Sequence, residues 1–159
     1  KNEVLLISKK GMSLRFTADD ESLRPMGRSA SGVIGMKFRS GDELLTMATV
    51  GSGDKANFVL TATDGGFGKR TNLDEYRTQG RGGIGVKAAK VDEDSRGGLV
   101  GALIVNEKDE ILVITSGGVV MRTPVKEVRE TGRDTLGVRL VNLDSGTHVV
   151  SLAKVSDDE

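Results

Sequence analysis

Gln79-Gly80-Arg81-Gly82-Gly83-Ile84-Gly85 is the stretch of this sequence whose residue types and spacing best suit chemistry. Four glycines in seven residues permit positive φ and close backbone approach, so successive N–H groups can line an anion-binding concavity. Arg81 would add a bidentate clamp on phosphate and Gln79 a neutral donor, while Gly82, Gly83 and Gly85 let the backbone come close. A flexible hairpin loop has the same composition, and the residues alone leave both readings open. Gly80–Gly85 also satisfies G-x-G-x-x-G. That fingerprint needs a helix after it, whereas here a strand-like run, Val86-Lys87-Ala88-Ala89, follows.

Other candidates are weaker. Gly51-Ser52-Gly53-Asp54-Lys55 lacks both the spacing of a P-loop and the hydroxyl residue after its lysine. Asp92-Glu93-Asp94 lacks the spacing and turn glycine of a calcium loop and reads as a solvated acidic loop. There is no cysteine, and a single histidine, His148, cannot build a multi-histidine metal cluster. Tyr76, the sole tyrosine, has no activating base beside it and is expected to pack. No catalytic, metal or cofactor residues are assigned, and the expectation is a binding module. No run approaches the roughly 18–20 apolar residues of a membrane span, so a soluble chain is expected. Its start on Lys1 and end on Asp157-Asp158-Glu159 suggest a segment of a longer polypeptide.

The elements that must position these residues are short. Apolar or alternating runs recur at Val4–Ile7, Ser13–Phe16, Val33–Phe38, Leu44–Val50, Phe58–Thr61, Val86–Ala89, Leu99–Val105, Ile111–Thr115, Val119–Thr123, Val138–Leu143 and Val149–Val155, with Gly, Asp, Asn or Ser between them. An all-β fold follows, with at most short helical turns at Asn72–Arg77 and Val125–Glu130. Self-similarity organises the strands. Gly11, Gly66 and Gly118 close matching hairpins 55 and 52 residues apart, each with an arginine four residues on: Arg15, Arg70 and Arg122. Gly32–Lys37, Gly82–Lys87 and Asp134–Arg139 align at intervals of 50 and 52. A repeat of roughly 50 residues with about four strands is that of a propeller blade, and three such repeats make a partial ring. A closed sandwich of about twelve strands is the alternative. The expected division is blade repeats at 1–52, 53–107 and 108–155, then an acidic tail at 156–159.

Net charge is zero, but its distribution follows the repeat. Residues 9–40, 65–90 and 117–139 carry +4, +4 and +2, and the intervening 41–64, 91–116 and 140–159 carry −3, −4 and −3. Equivalent segments of a radially repeated fold occupy equivalent positions, so the basic windows should join into a stripe suited to a polyanion. Independent solvated hairpins are the plainer reading.

The box at 79–85 resembles the Q-R-R-G-G-K-G box of the C-terminal domain of the DNA gyrase A subunit. Arg24-Pro25-Met26-Gly27-Arg28-Ser29-Ala30-Ser31-Gly32-Val33-Ile34-Gly35 is similar to that family's blade pattern, and Gly132–Val138 to its final blade. Gly80 and Ile84 stand where the box has an arginine and a lysine, which makes this a diverged second box or a decayed copy. The resemblance implies a β-pinwheel, a propeller whose neighbouring blades exchange strands, that wraps duplex DNA for negative supercoiling. It implies DNA contact by the box residues Gln79, Arg81, Gly82, Gly83 and Gly85, and the basic stripe adds Arg15, Arg28, Lys69, Arg70, Lys87, Arg122 and Arg133 as candidate phosphate contacts. It further implies no cofactor in this segment, partners in the gyrase B subunit plus the rest of the gyrase A subunit, and a bacterial cytoplasmic, chromosome-associated setting. The C-terminal domain of topoisomerase IV and a protein-interaction propeller are the alternatives.

Overall fold

Each matched hairpin is closed by the same local chemistry. In the computed structural model, which describes residues 2–51 and 58–155, the amides of Gly11, Gly66 and Gly118 donate to the carbonyls of Ser8, Thr63 and Thr115, each at 3.1 Å. The hydroxyls of those residues accept from the amides of Met12, Phe67 and Val119 at 3.0, 3.3 and 3.3 Å. The three glycines have φ of 87°, 87° and 78°, a region that side chains disfavour.

Eleven strands are defined among the described residues: β1 (Glu3–Ser8), β2 (Met12–Thr17), β3 (Leu44–Val50), β4 (Phe58–Thr63), β5 (Phe67–Asn72), β6 (Val86–Lys87), β7 (Leu99–Val105), β8 (Glu110–Thr115), β9 (Val120–Pro124), β10 (Val138–Arg139) and β11 (Val149–Val155). The two expected helical turns are 3₁₀ turns at Leu73–Glu75 and Val125–Glu127. One further helical turn, α1 (Glu93–Arg96), occupies the acidic loop, where the Asp92 side chain accepts from the Ser95 amide at 3.3 Å. The acidic tail and Ser52–Asn57 lie outside the described residues.

The strands make three antiparallel sheets, ordered β3-β1-β2-β6, β10-β5-β4-β7 and β11-β8-β9. Each four-stranded sheet takes its outer strand from the next repeat. β6 joins β2 with Met12 opposite Lys87 and Ser13 opposite Val86, and β10 joins β5 with Phe67 opposite Arg139 and Gly68 opposite Val138. The carbonyl of Gly11 accepts from the amides of Ala88 (2.7 Å) and Ala89 (3.3 Å), as that of Gly66 does from Leu140 (2.7 Å) and Val141 (3.4 Å). The opposite edges, β3, β7 and β11, lie against one another in succession.

The core sits between blades. Leu5, Ile7, Val59, Leu73, Tyr76 and Ala88 fill the space between the first and second sheets, and Phe58, Leu60, Val105, Ile111, Val125 and Val149 that between the second and third. Because β4 is packed on both faces, all six of its residues are buried, Thr61 and Thr63 included. β8 has one covered face, and burial alternates along it.

One expectation changes. No strand forms over Val33–Phe38, because the described chain has no blade edge ahead of β1 for it to join. Met36 instead packs on the outer face of β1 and β2 with Leu6, Leu14 and Phe16, while the Gly35 carbonyl and Lys37 amide bond to Gly82 (2.6 Å) and Gly83 (2.8 Å). At the other end the outer edge of β9 pairs with no strand among the described residues, leaving Val119 and Val120 56% and 58% exposed.

The exchange depends on Gly85, at φ 82°, where a Cβ would collide with the Ser13 carbonyl oxygen. Gly85→Ala should cost roughly 2–4 kcal/mol by urea unfolding, combining disfavoured backbone and a clash that must displace β2. Gly80→Ala, in open space, should stay within about 0.5 kcal/mol.

Candidate nucleic-acid interface

The arginines four residues past each turn glycine fasten one blade to the next. Arg15 pairs with Glu3 on the neighbouring strand, and its Nη1 donates to the carbonyls of Leu73 (3.0 Å) and Tyr76 (3.1 Å) in the following 3₁₀ turn. Arg70 repeats the contact one blade on. Its Nε donates to the Val128 carbonyl at 2.7 Å, and its guanidinium lies 4.5 Å from the Phe58 ring centroid. Arg122 occupies the third equivalent position, where no following blade is present among the described residues. It pairs with Glu110, and its side chain is 59% exposed.

Lys69 is buried as well. Its ammonium donates to the carbonyls of Gly132 (2.7 Å) and Arg133 (2.5 Å) and to Thr135 Oγ1 (3.1 Å), a full complement for three donors. Burial lowers its pKa to about 8, opposed by the charges of Asp134 and Glu75. The DNA contact expected of Lys69 and Arg70 is therefore corrected: both are buried and turned into the seam between blades. The repeat itself carried that signal, because the positions matching Lys69 are Leu14 and Met121, both packed against apolar clusters.

In the box, Arg81 is half-buried and faces protein rather than solvent. Nε donates to the Ser22 carbonyl at 2.5 Å and Nη1 to the Ile34 carbonyl at 3.1 Å. Arg133 makes the matching link one repeat later, from Nη1 to the Lys87 carbonyl at 2.8 Å. The Gln79 amide donates to the Arg15 carbonyl at 2.7 Å, and its side-chain oxygen can face the Arg77 guanidinium at 2.7 and 2.9 Å. Gly82 and Gly85 have the positive φ anticipated for them, and Gly83 is exposed.

Arg28, Lys87 and Arg122 remain exposed, as expected of phosphate contacts. Structure adds two residues missed from that set, Lys37 and Arg139. Lys37, Lys87 and Arg139 share one position in the repeat, immediately after the Gly-Met, Gly-Val and Gly-Val pairs, and all three are exposed. Lys87 and Arg139 ride on the exchanged strands at the outer edges of their sheets. Lys87 lies 3.6 Å from Asp134 in a pair exposed on both sides, an interaction too screened to occupy it. Arg24, Arg39, Arg77, Lys90 and Arg129 add exposed positive charge. The alignment of Lys37 with Lys87 and Arg139 was visible in sequence; which basic residues faced water was not. Tyr76 is buried in the first seam, where desolvation pushes its phenol pKa up. No His, Asp or Glu group suited to a metal occurs among the described residues, and none of their helices is long and apolar enough to cross a membrane.

A family model described as the DNA gyrase C-terminal domain, a β-propeller, matches residues 2–50, 57–106 and 109–156. The DNA gyrase A subunit of Streptomyces coelicolor is 62% identical over 154 residues, covering 97% of this chain and 18% of the relative. That of Mycobacterium tuberculosis is 48% identical over 157 residues, covering 99% and 18%. The chain thus spans less than a fifth of the length of these curated relatives. A solved DNA gyrase A C-terminal domain superposes with TM-score 0.87 at 31% identity, over 96% of this chain and 50% of that one. The C-terminal domain of a DNA topoisomerase IV gives 0.85 at 25%, over 97% and 46%.

The buried lysine has a titration consequence. Above pH 8 folded Lys69 releases a proton that the unfolded chain keeps to about 10.5, so stability contributed at this site rises with pH across that window. Relative to Lys69→Met, the wild-type urea-unfolding free energy should climb between pH 8 and 10.5 by on the order of 2–3 kcal/mol. At pH 7 the variant should be less stable by about 1–3 kcal/mol, since buried acceptors lose their donor.

Proposed function

This chain belongs to the DNA gyrase C-terminal-domain family of β-propellers, and from that premise we propose that it binds and wraps duplex DNA without reading its sequence. It would do so as part of a DNA gyrase A subunit, within a type IIA topoisomerase, supporting ATP-dependent negative supercoiling in the bacterial cytoplasm, at the chromosome. Strand cleavage and ATP hydrolysis would lie in the gyrase B subunit or the rest of the gyrase A subunit, while the segment itself would need no cofactor. The greater identity to gyrase A than to the topoisomerase IV domain supports gyrase over the latter.

The observation that carries this reading is one exposed basic residue per repeat at a single repeat position, Lys37, Lys87 and Arg139. Bending a 20–30 bp site costs on the order of 1–6 kcal/mol, so a wrapping surface needs contacts distributed along the path. Repeated cationic contacts to phosphate supply affinity without base readout, as they do on the nucleosome. Arg28 and Arg122 are proposed as further contacts. A protein-interaction scaffold would explain the repeat but has no use for charge in step with it.

Gel shifts of the chain on linear duplex should show log K falling with log salt by roughly 0.9 per phosphate neutralised. Lys37→Ala/Lys87→Ala/Arg139→Ala should make that slope shallower by roughly 3, with little dependence on DNA sequence. Binding indifferent to salt, or an unaltered slope in the triple variant, would move the interface elsewhere.

A further inference from the structure

The box arginine has five N–H donors, and the two it gives to carbonyls, from Nε and Nη1, already fix where its guanidinium lies. Those carbonyls, of Ser22 and Ile34, bracket a segment that contains Arg24 and Arg28, both exposed. The segment has little to hold it. Leu23, Met26, Val33 and Ile34 are 43%, 49%, 38% and 58% exposed, so apolar burial contributes little across it. Its bonds to the second repeat run to Arg81, Gly82 and Gly83, the last two taking the Gly35 carbonyl and the Lys37 amide. Arg81 also lines a cleft with Arg24, Asp20 and Glu21, where two carboxylates balance the two guanidiniums. Arg133, at the matching repeat position, likewise reaches back to the preceding repeat, at the Lys87 carbonyl.

We propose that Arg81 is a positioning residue: it ties residues 22–34 of the first repeat to the box of the second, and so sets where Arg24 and Arg28 meet DNA. The inference rests on the DNA-binding reading for its consequence but not for the tie itself. A diverged box suits this role. Gly80 and Ile84 remove a second arginine and a lysine from the family's pattern, whereas the arginine that makes the inter-repeat bonds and the glycines that let the backbone close on Gly35 and Lys37 are kept.

Two readouts on the 159-residue chain separate the tie from the DNA reading. The first is amide hydrogen exchange without DNA, comparing the Lys37 and Gly82 amides, which bond across the two repeats, with 111–115 in the same molecule so that global loosening is discounted. Arg81→Ala and Arg81→Lys should both raise exchange at Lys37 and Gly82 at least roughly tenfold relative to 111–115, because one ammonium does not reproduce the two-carbonyl fork. Unchanged relative exchange in either variant overturns the proposal. The second is the salt slope of binding to linear duplex. Arg81→Ala should lower the slope by about 2, as Arg24→Ala/Arg28→Ala does, and add nothing to that double variant. A drop of about 0.9 that adds to the double variant and is restored by Arg81→Lys would make Arg81 a phosphate contact and overturn the positioning role. Faster exchange in the variants combined with no DNA binding by the wild type would retain the tie and remove the proposed function.

Discussion

Everything in this structure depends on the lending of one strand from each repeat to the sheet of the repeat before it. A three-stranded blade would leave β2 or β5 as an open edge, with a row of unpaired amides and carbonyls. β6 and β10 close those edges, and the Gly11 and Gly66 carbonyls each take two amides from the chain that follows the borrowed strand. Sheet pairing therefore holds blade to blade through backbone hydrogen bonds as well as through apolar packing. The end blade shows what the exchange achieves: β9 has no borrowed partner among the described residues, Val119 and Val120 face solvent, and Arg122 lacks the turn its equivalents grasp.

Basic residues consequently divide into two populations. Lys69, Arg70 and Arg15 occupy the seams, where their donors meet carbonyls exposed by 3₁₀ turns and by the loop before each borrowed strand. Burial of a charge is tolerated where such acceptors meet it, most fully at Lys69, and the acceptors would be unpaired without it. Lys87 and Arg139 lie on the strands that are lent and Lys37 at the equivalent position of the first repeat, and all three side chains reach solvent. The repeat thus sorts positive charge by position: a cation beside the hairpin turn builds the ring, and one on the borrowed strand is available to a polyanion.

Because of this sorting, the glycine-rich box cannot be understood as an isolated loop. Its backbone and Arg81 meet residues 22–37 of the first repeat, just as Arg133 meets Lys87 of the second. Adjacent basic windows that are separate in sequence are joined mechanically at these points, which is how a charge pattern spread over three repeats acquires one geometry.

Sequence alone determined whatever depends on local chemistry and its recurrence. Turn glycines at 11, 66 and 118, short apolar runs and a period near 50 residues were enough for an all-β propeller, since positive φ and strand burial are properties of a few neighbouring residues. The alternation of charge with the repeat was legible for the same reason. Tertiary structure decided which cations were taken up by the protein itself. Lys69 and Arg70 are adjacent to residues that look equally exposed on paper, and their burial comes from carbonyls about 60 residues away. The Val33–Phe38 run has strand character but forms no strand, because pairing requires an edge that only another blade can supply. A residue's identity sets its charge and propensity; its accessibility is set by what the fold brings against it from far along the chain.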